Sequence, residues 1–218
     1  DGGSARVAKT TAIKTWGSGP RGGLEGAVAY ARHYGLDSVV TMDVGGTTTD
    51  ISVITGQAVK MLAYGVIEDS PTSFPLPTIH SFGLGGSSVI RASNSGLDIG
   101  PDSVGASPGP ACYGRGGTEA TLTDALLVSG VLDANRYLGG EIALDRERAE
   151  LALKSKIGEA LEQNVTNAAG TIIRAFQAKV GEGVAAALKK SGSSADDTTL
   201  LAYGGCGPML AGGIASSI

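Results

Sequence analysis

Residues 42–53 carry the sequence Met42-Asp43-Val44-Gly45-Gly46-Thr47-Thr48-Thr49-Asp50-Ile51-Ser52-Val53. The β-branched residues on both sides predict two strands, over residues 38–44 and 51–54. Gly45 and Gly46 predict a tight turn between them, and consecutive backbone N–H groups in such a turn can bind an anion. The threonines that follow add hydroxyl donors. The alternative is a tight hairpin in which glycine only permits a positive φ.

Two carboxylates flank this turn in the sequence, Asp43 before it and Asp50 after it. Carboxylates beside a phosphate site usually hold Mg²⁺ or orient a water molecule. If the turn binds phosphate, we therefore expect Asp43 and Asp50 to bind Mg²⁺ (or Mn²⁺) or to orient a nucleophile.

A second glycine turn follows a strand that we predict over residues 199–203. Gly204, Gly205 and Gly207 lie in this turn, and Pro208 opens a predicted final helix. A turn of this kind suits an adenine or ribose close to the backbone, or a phosphate at the helix N-terminus. Glycine here could equally serve only the close packing of the strand on the helix.

Helical and extended periodicities predict the other elements. We expect a third strand of the same meander over residues 58–66 and a helix over 22–34. Residues 93–121 are rich in glycine and proline and predict a packed, functional loop region. Asp145 should cap a helix over 146–161, and Thr166 or Asn167 should cap a long helix that ends near Lys190.

Composition excludes several classes of protein. Glycine makes up 35 of 218 residues, about 16%, but no Gly-X-Y period accompanies it, so the chain is not a collagen. The net charge of −4 argues against nucleic-acid binding. No stretch approaches 18 apolar residues, so we expect no membrane partner. Two distant cysteines fit a reducing compartment, and we expect a cytoplasmic location.

The two glycine turns, in this order, resemble the second phosphate motif and the adenosine motif of the ATPase superfamily that includes sugar kinases, actin and the heat-shock chaperones. Within it, the chain resembles the hydantoinase A, 5-oxoprolinase and acetone/acetophenone carboxylase family, and the matches are collinear over nearly the whole chain. The segments that carry this resemblance are Ser18 to Gly23, Met42 to Asp50, His80 to Ser88, Gly100 to Gly117, Thr121 to Ala125 and Tyr203 to Pro208.

The resemblance implies an α/β fold of the actin-like, ribonuclease-H-like kind, with a mixed sheet and flanking helices. It also implies an ATP-dependent enzyme subunit, which phosphorylates a carbonyl or cyclic-amide oxygen before hydrolysis or carboxylation. ATP and Mg²⁺ would be the cofactors. The residues expected to bind the nucleotide are Gly45, Gly46, Thr47, Thr48, Gly85, Gly86, Gly204, Gly205 and Gly207.

Family members usually carry an earlier phosphate motif, and this sequence has none. We therefore expect residues 1–218 to form a single domain, the second half of a nucleotide cleft. The N-terminal half of the same enzyme would complete the cleft, and a hydantoinase-B-type subunit is a further expected partner. Two alternatives stay open, which are a small-molecule kinase of the same superfamily and a non-catalytic docking module.

Two further side chains allow more than one interpretation. His80 precedes a glycine loop, where it could be a general base or a metal ligand, or a histidine satisfied by local backbone. Asp124 could reach the cleft, or it could be the N-cap of a helix that starts there.

Overall fold

The structure, a computed structural model, describes residue 15 and residues 17–67, 69–94 and 96–218. The helices are α1 (Ser18–Tyr34), α2 (Leu122–Val128), α3 (Arg146–Leu153), α4 (Val165–Ser191) and α5 (Gly207–Ala215). The strands are β1 (Ser38–Val44), β2 (Thr49–Thr55), β3 (Ala58–Val59), β4 (Met61–Leu62), β5 (Val66–Ile67), β6 (Ser70–Pro71), β7 (Leu76–Pro77), β8 (His80–Phe82), β9 (Ser88–Ser93), β10 (Gly96–Ser103) and β11 (Thr199–Tyr203).

The main sheet has the strand order β11-β1-β2-β3, and β8 also pairs with β2. Residues 39–42 of β1 are buried without interruption, as in a strand that is covered on both faces. Strand β3 runs antiparallel to β2, with Ile54 opposite Val59. The predicted α/β fold with a mixed sheet and flanking helices is confirmed.

The described chain divides into two compact units, which we describe separately. Within the described residues, unit 1 consists of the chain up to Asp43, of Asp50–Ser81 and of Gly183–Ala202. Unit 2 consists of Val44–Thr49, Phe82–Glu182 and Tyr203–Ile218.

In unit 1, helix α1 buries an apolar face formed by Leu24, Ala27, Val28 and Ala31. The helix begins at Ser18, four residues before the predicted start, and Gly35 ends it in a left-handed conformation (φ 64°). The single third strand predicted over residues 58–66 is wrong beyond Val59. Strand β4 pairs with β7 and β5 pairs with β6, because Met61 and Leu62 are exposed and offer the main sheet no buried face.

In unit 2, the start of the predicted loop region is instead strand β10, which pairs antiparallel with β9. Helix α3 has the predicted cap, since the Asp145 carboxylate accepts from the N–H of Arg148 at 3.0 Å. The predicted helix is interrupted after Leu153 by a π-helical turn, Lys154–Gly158. There the Ser155 hydroxyl donates to the carbonyl of Leu151 at 2.9 Å, a contact that often bends helices.

The long helix α4 is present as predicted, but its cap is not the predicted residue. The side chain of Asn164 accepts from the N–H of Asn167 at 2.9 Å, so neither Thr166 nor Asn167 fills this role.

Candidate functional site

The glycine turn that follows β1 is joined by backbone hydrogen bonds to two other segments of unit 2. Its own closing bond runs from the N–H of Gly45 to the carbonyl of Thr48 (2.9 Å). The carbonyl of Gly45 accepts from the N–H of Gly86 (2.9 Å), and that of Val44 accepts from Cys206 (2.9 Å). These bonds hold the turn against the 83–88 loop and the second glycine turn.

Two glycines of the 83–88 loop lie where a side chain would collide with neighbouring atoms. A Cβ on Gly85 would lie 2.5 Å from the carbonyl carbon of Gly46 and 2.6 Å from the backbone nitrogen of Thr47. A Cβ on Gly86 would lie 2.8 Å from the sulfur of Cys206. The sequence therefore needs glycine at both positions to bring three backbone segments together.

These segments open on a cavity of about 360 Å³ in unit 2, which we call the glycine-lined cavity. Gly45, Gly46, Gly86 and Gly205 line it, so the structure brings together four predicted nucleotide-binding residues from three distant segments. The other lining residues are Ser87, Tyr113, Thr123, Leu132, Asp133, Arg136, Tyr137, Leu138, Cys206, Pro208 and Met209. The other predicted nucleotide-binding residues, which are not among its lining residues, are Thr47, Thr48, Gly85, Gly204 and Gly207.

Sequence reasoning missed the polar side chains on one wall of this cavity. The hydroxyl groups of Tyr113 and Tyr137 are hydrogen-bonded at 2.6 Å, and their ring centroids lie 5.6 Å apart. Arg136 adds a guanidinium to the same wall, with 87% of its side chain exposed. Both Arg136 and Tyr137 lie in an irregular stretch after α2, where no periodicity or motif singled them out.

The two predicted metal-binding carboxylates lie in unit 1. Burial and the negative charge of Asp50 raise the pKa of Asp43, so the two carboxylates are close enough to repel each other. The hydroxyl of Ser81 donates a hydrogen bond to the Asp50 carboxylate. A divalent cation would relieve this repulsion, and the carboxylate oxygens suit Mg²⁺.

Among the described residues, no group of three or more His, Cys, Asp and Glu side chains could hold a metal ion. Mg²⁺ commonly keeps several water ligands and takes only one or two protein carboxylates. The pair formed by Asp43 and Asp50 therefore fits Mg²⁺ better than a metal that needs a full protein cage.

His80 also lies in unit 1, on strand β8. Burial and the positive charge of Lys190 lower the pKa of its imidazole. The ring is therefore neutral at pH 7 and able to accept a proton.

Asp124 has a structural position at the start of α2. Thr121 is the N-cap of this helix, and Asp124 is the third helical residue, whose carboxylate accepts a hydrogen bond from the backbone N–H of Thr121 (3.2 Å). Its carboxylate also accepts from the N–H of Cys112 at 2.8 Å. The Asp124 side chain therefore takes part in capping α2. The prediction that Asp124 is itself the N-cap is wrong, because Thr121 occupies that position.

Neither cysteine has the properties of a nucleophile. Both thiols are buried, and burial raises the pKa of Cys206 to about 11. Burial and the Asp124 carboxylate also raise the pKa of Cys112. A thiol that stays protonated is a poor nucleophile.

A search of the described helices for a membrane span found none with the length and hydrophobicity that crossing a bilayer requires.

Comparison with known proteins identifies relatives across the whole chain. The family described as hydantoinase/oxoprolinase matches residues 1–218. The acetophenone carboxylase gamma subunit of Aromatoleum aromaticum is 37% identical over 224 aligned positions, which cover 100% of this chain. The caprolactamase subunit alpha of Pseudomonas jessenii is 34% identical over 204 positions and covers 93%.

A solved structure has the same fold. The nucleotide-free structure of acetone carboxylase, from a study of ATP-dependent acetone carboxylation, matches with a TM-score of 0.82 and 30% identity over 90% of this chain. The chain spans 30% of the acetophenone carboxylase subunit, 29% of the caprolactamase subunit and 28% of the acetone carboxylase chain.

Proposed function

The chain belongs to the hydantoinase/oxoprolinase family, and we propose that it is the nucleotide-binding part of an ATP-dependent enzyme. The proposed reaction transfers the γ-phosphoryl group of ATP to a carbonyl or cyclic-amide oxygen. This converts a poor leaving oxygen into a good one before hydrolysis or carboxylation. The relatives named above are carboxylases, a caprolactamase or subunits of these enzymes, which supports this class of reaction.

The glycine-lined cavity is the observation that carries the proposal. Its lining combines the turn that follows β1, the 83–88 loop and the turn before α5, which are the segments predicted to bind phosphate and adenosine. Gly46 and Thr47 are exposed, and their backbone N–H groups donate to no acceptor within the described residues. Phosphate oxygens are suitable acceptors for such groups, so the turn is a suitable anion site.

The remaining predicted nucleotide-binding residues have supporting parts in this proposal. Thr48 and Gly85 hold the shape of the first turn, the former by accepting from Gly45 and the latter by its contact with Gly46. Gly204 adopts a left-handed conformation (φ 82°), and Gly207 begins α5. The left-handed conformation of Gly204 allows the backbone to turn sharply beside the proposed adenosine position.

We propose that Asp43 and Asp50 hold Mg²⁺, which when bound neutralises phosphate charge. His80, with its neutral imidazole, is the proposed general base. The small-molecule partner would be a ketone or a cyclic amide. The protein partners would be the N-terminal half of the same enzyme and a hydantoinase-B-type subunit.

Calorimetric titration with Mg²⁺-ATP of the protein that carries this chain tests the nucleotide part of the proposal. We expect Asp43→Asn to weaken Mg²⁺-ATP binding by about tenfold, which is a typical loss for one charge contact. Asp37→Asn is the matched control, because Asp37 is an exposed carboxylate just before β1, and it should change the affinity less than twofold. Absence of binding heat, or an unchanged affinity in Asp43→Asn, would contradict the proposal.

The reaction part is tested by ATP turnover with ketones, in the presence and absence of bicarbonate, and with cyclic amides. Bicarbonate-dependent turnover with a ketone would identify a carboxylase, and turnover with a cyclic amide would identify a hydrolase. Release of a stable phosphorylated small molecule would instead identify a kinase and overturn this part of the proposal.

A further inference from the structure

Unit 1 contains a cavity of its own, of about 300 Å³, which we call the cationic cavity. Arg21 and Lys190 contribute positive charges to its lining, and no carboxylate is among its lining residues in the described part of the chain. The opposite part of the lining is apolar and is formed by Leu62, Val66, Pro75 and Leu76. The cavity therefore combines a positively charged side with an apolar side.

Two residues that line this cavity each have a buried side-chain polar atom with no hydrogen-bond partner among the described residues. These atoms are Nε of Arg21 and Oγ1 of Thr78. The backbone of Thr78 is fully engaged, since its N–H donates to Lys60 (2.9 Å) and its carbonyl accepts from Ser52 (2.7 Å). Buried polar atoms are nearly always hydrogen-bonded in folded proteins. Two unpaired donors in residues that line one cavity therefore favour a ligand that accepts hydrogen bonds.

The rest of the Arg21 guanidinium is held in place. One of its terminal nitrogens pairs with Glu25, one helical turn along α1, and the other lies 3.3 Å from the sulfur of Met61. This anchoring fixes the direction of the free Nε–H group. A guanidinium held in this way is a preorganised donor for a planar anion.

A second positive charge lies at the same cavity, on helix α4. Lys190 lines the cavity, and its charge reaches the imidazole of His80, which lines it too. Among the described residues, Glu25 is the only carboxylate that pairs with Arg21 or Lys190. The two cations therefore leave the cavity with an excess of positive charge.

We propose that the cationic cavity binds the carboxylate group of a small organic acid, with the Arg21, Lys190 and Thr78 side chains on the carboxylate and the apolar side on its carbon skeleton. This inference rests on the proposed function for its place in the reaction. Hydrolysis of a cyclic amide and carboxylation of a ketone each form a new carboxylate group, which is absent from the cyclic amide and from the ketone. The bound acid would thus be the product of the reaction.

Calorimetric titration of the protein that carries this chain, without nucleotide, tests the inference with benzoate as the probe. Benzamide is the neutral counterpart, and bicarbonate is a carboxylate-like anion without an apolar body. We expect benzoate to bind at least tenfold more tightly than either. Equal affinity for benzamide would show that the positive charges do not select the ligand. Equal affinity for bicarbonate would show that the apolar side does not bind a carbon skeleton. Either result would overturn the inference.

Variants with matched controls complete the test. Arg21→Gln and Lys190→Gln should each weaken benzoate binding at least tenfold, whereas Arg32→Gln and Lys189→Gln, which remove exposed charges from the same two helices, should change it less than twofold. Thr78→Val keeps the side-chain volume and should also weaken binding. Unchanged affinity in folded Arg21→Gln and Thr78→Val would overturn the inference. Because ATP is absent, this result is independent of the test for nucleotide binding.

Discussion

Substitution of Gly85 by alanine tests the proposed role of the close backbone contact in unit 2. The new Cβ would lie 2.5 Å from the carbonyl carbon of Gly46 and 2.6 Å from the backbone nitrogen of Thr47. Relief of this overlap requires a displacement of about 1 Å, because unstrained carbon contacts begin near 3.5 Å. Both colliding atoms belong to the backbone of the turn, so no side chain can rotate away.

The magnitude follows from that displacement. Overpacking of this kind typically costs about 1–3 kcal/mol of unfolding free energy. If the turn binds phosphate as proposed, a displacement of about 1 Å is also enough to lower turnover by roughly 100-fold. We therefore expect Gly85→Ala to lower both the stability and the ATP turnover of the protein that carries this chain.

Urea unfolding followed by circular dichroism, together with ATP turnover, measures both effects. Gly212→Ala is the matched control, because a Cβ on Gly212 meets no atom within 4 Å. Gly212 lies inside α5, so alanine there should stabilise the helix by up to about 1 kcal/mol. A Gly85→Ala protein that kept its turnover, with a free energy of unfolding within about 0.5 kcal/mol of the original value, would contradict the proposed role of this contact. A difference of that size is usual for surface substitutions.

Three further predictions concern ionisable and polar groups. The pKa of Asp43 is raised in the folded protein above its ordinary value of 3.8. The free energy of unfolding should therefore fall as the pH rises from 3.8 through the folded pKa. Asp43→Asn should remove this fall, as measured by urea unfolding at a series of pH values. Asp124→Asn should cost about 1–3 kcal/mol in the same assay, since it leaves the N–H of Cys112 with a weaker acceptor or none. Cys206 should resist iodoacetamide at pH 7.5 in the folded protein and react after denaturation, as followed by mass spectrometry; rapid labelling of the folded protein would contradict its raised pKa.

Local patterns in the sequence were sufficient for the elements that carry the first turn. The β-branched run before Gly45 predicted β1 over its observed residues, Ser38–Val44, because β-branched side chains suit a buried strand. The cap at Asp145 was also predictable, since an aspartate before a helical stripe satisfies free N–H groups from a neighbouring position in the sequence.

Contacts between distant residues explain what the sequence alone did not predict. Strand β4 pairs with β7, in which Leu76 lies opposite Leu62. A strand of two residues is too short to show an alternating pattern, so the sequence does not predict this pair. Arg136 and Tyr137 line the glycine-lined cavity from an irregular segment. The unpaired Nε of Arg21 became evident only when its surroundings were known, because the sequence shows charge but not burial.

The position of the bound nucleotide tests the proposed function most directly. A crystal structure of the protein that carries this chain, grown with Mg²⁺ and a non-hydrolysable ATP analogue, measures it. We predict phosphate density against Gly45 and Gly46 and adenosine density beside Gly205, in the glycine-lined cavity. Nucleotide density that avoids this cavity, or lies against Arg21 and Lys190 in the cationic cavity, would contradict the proposed nucleotide site.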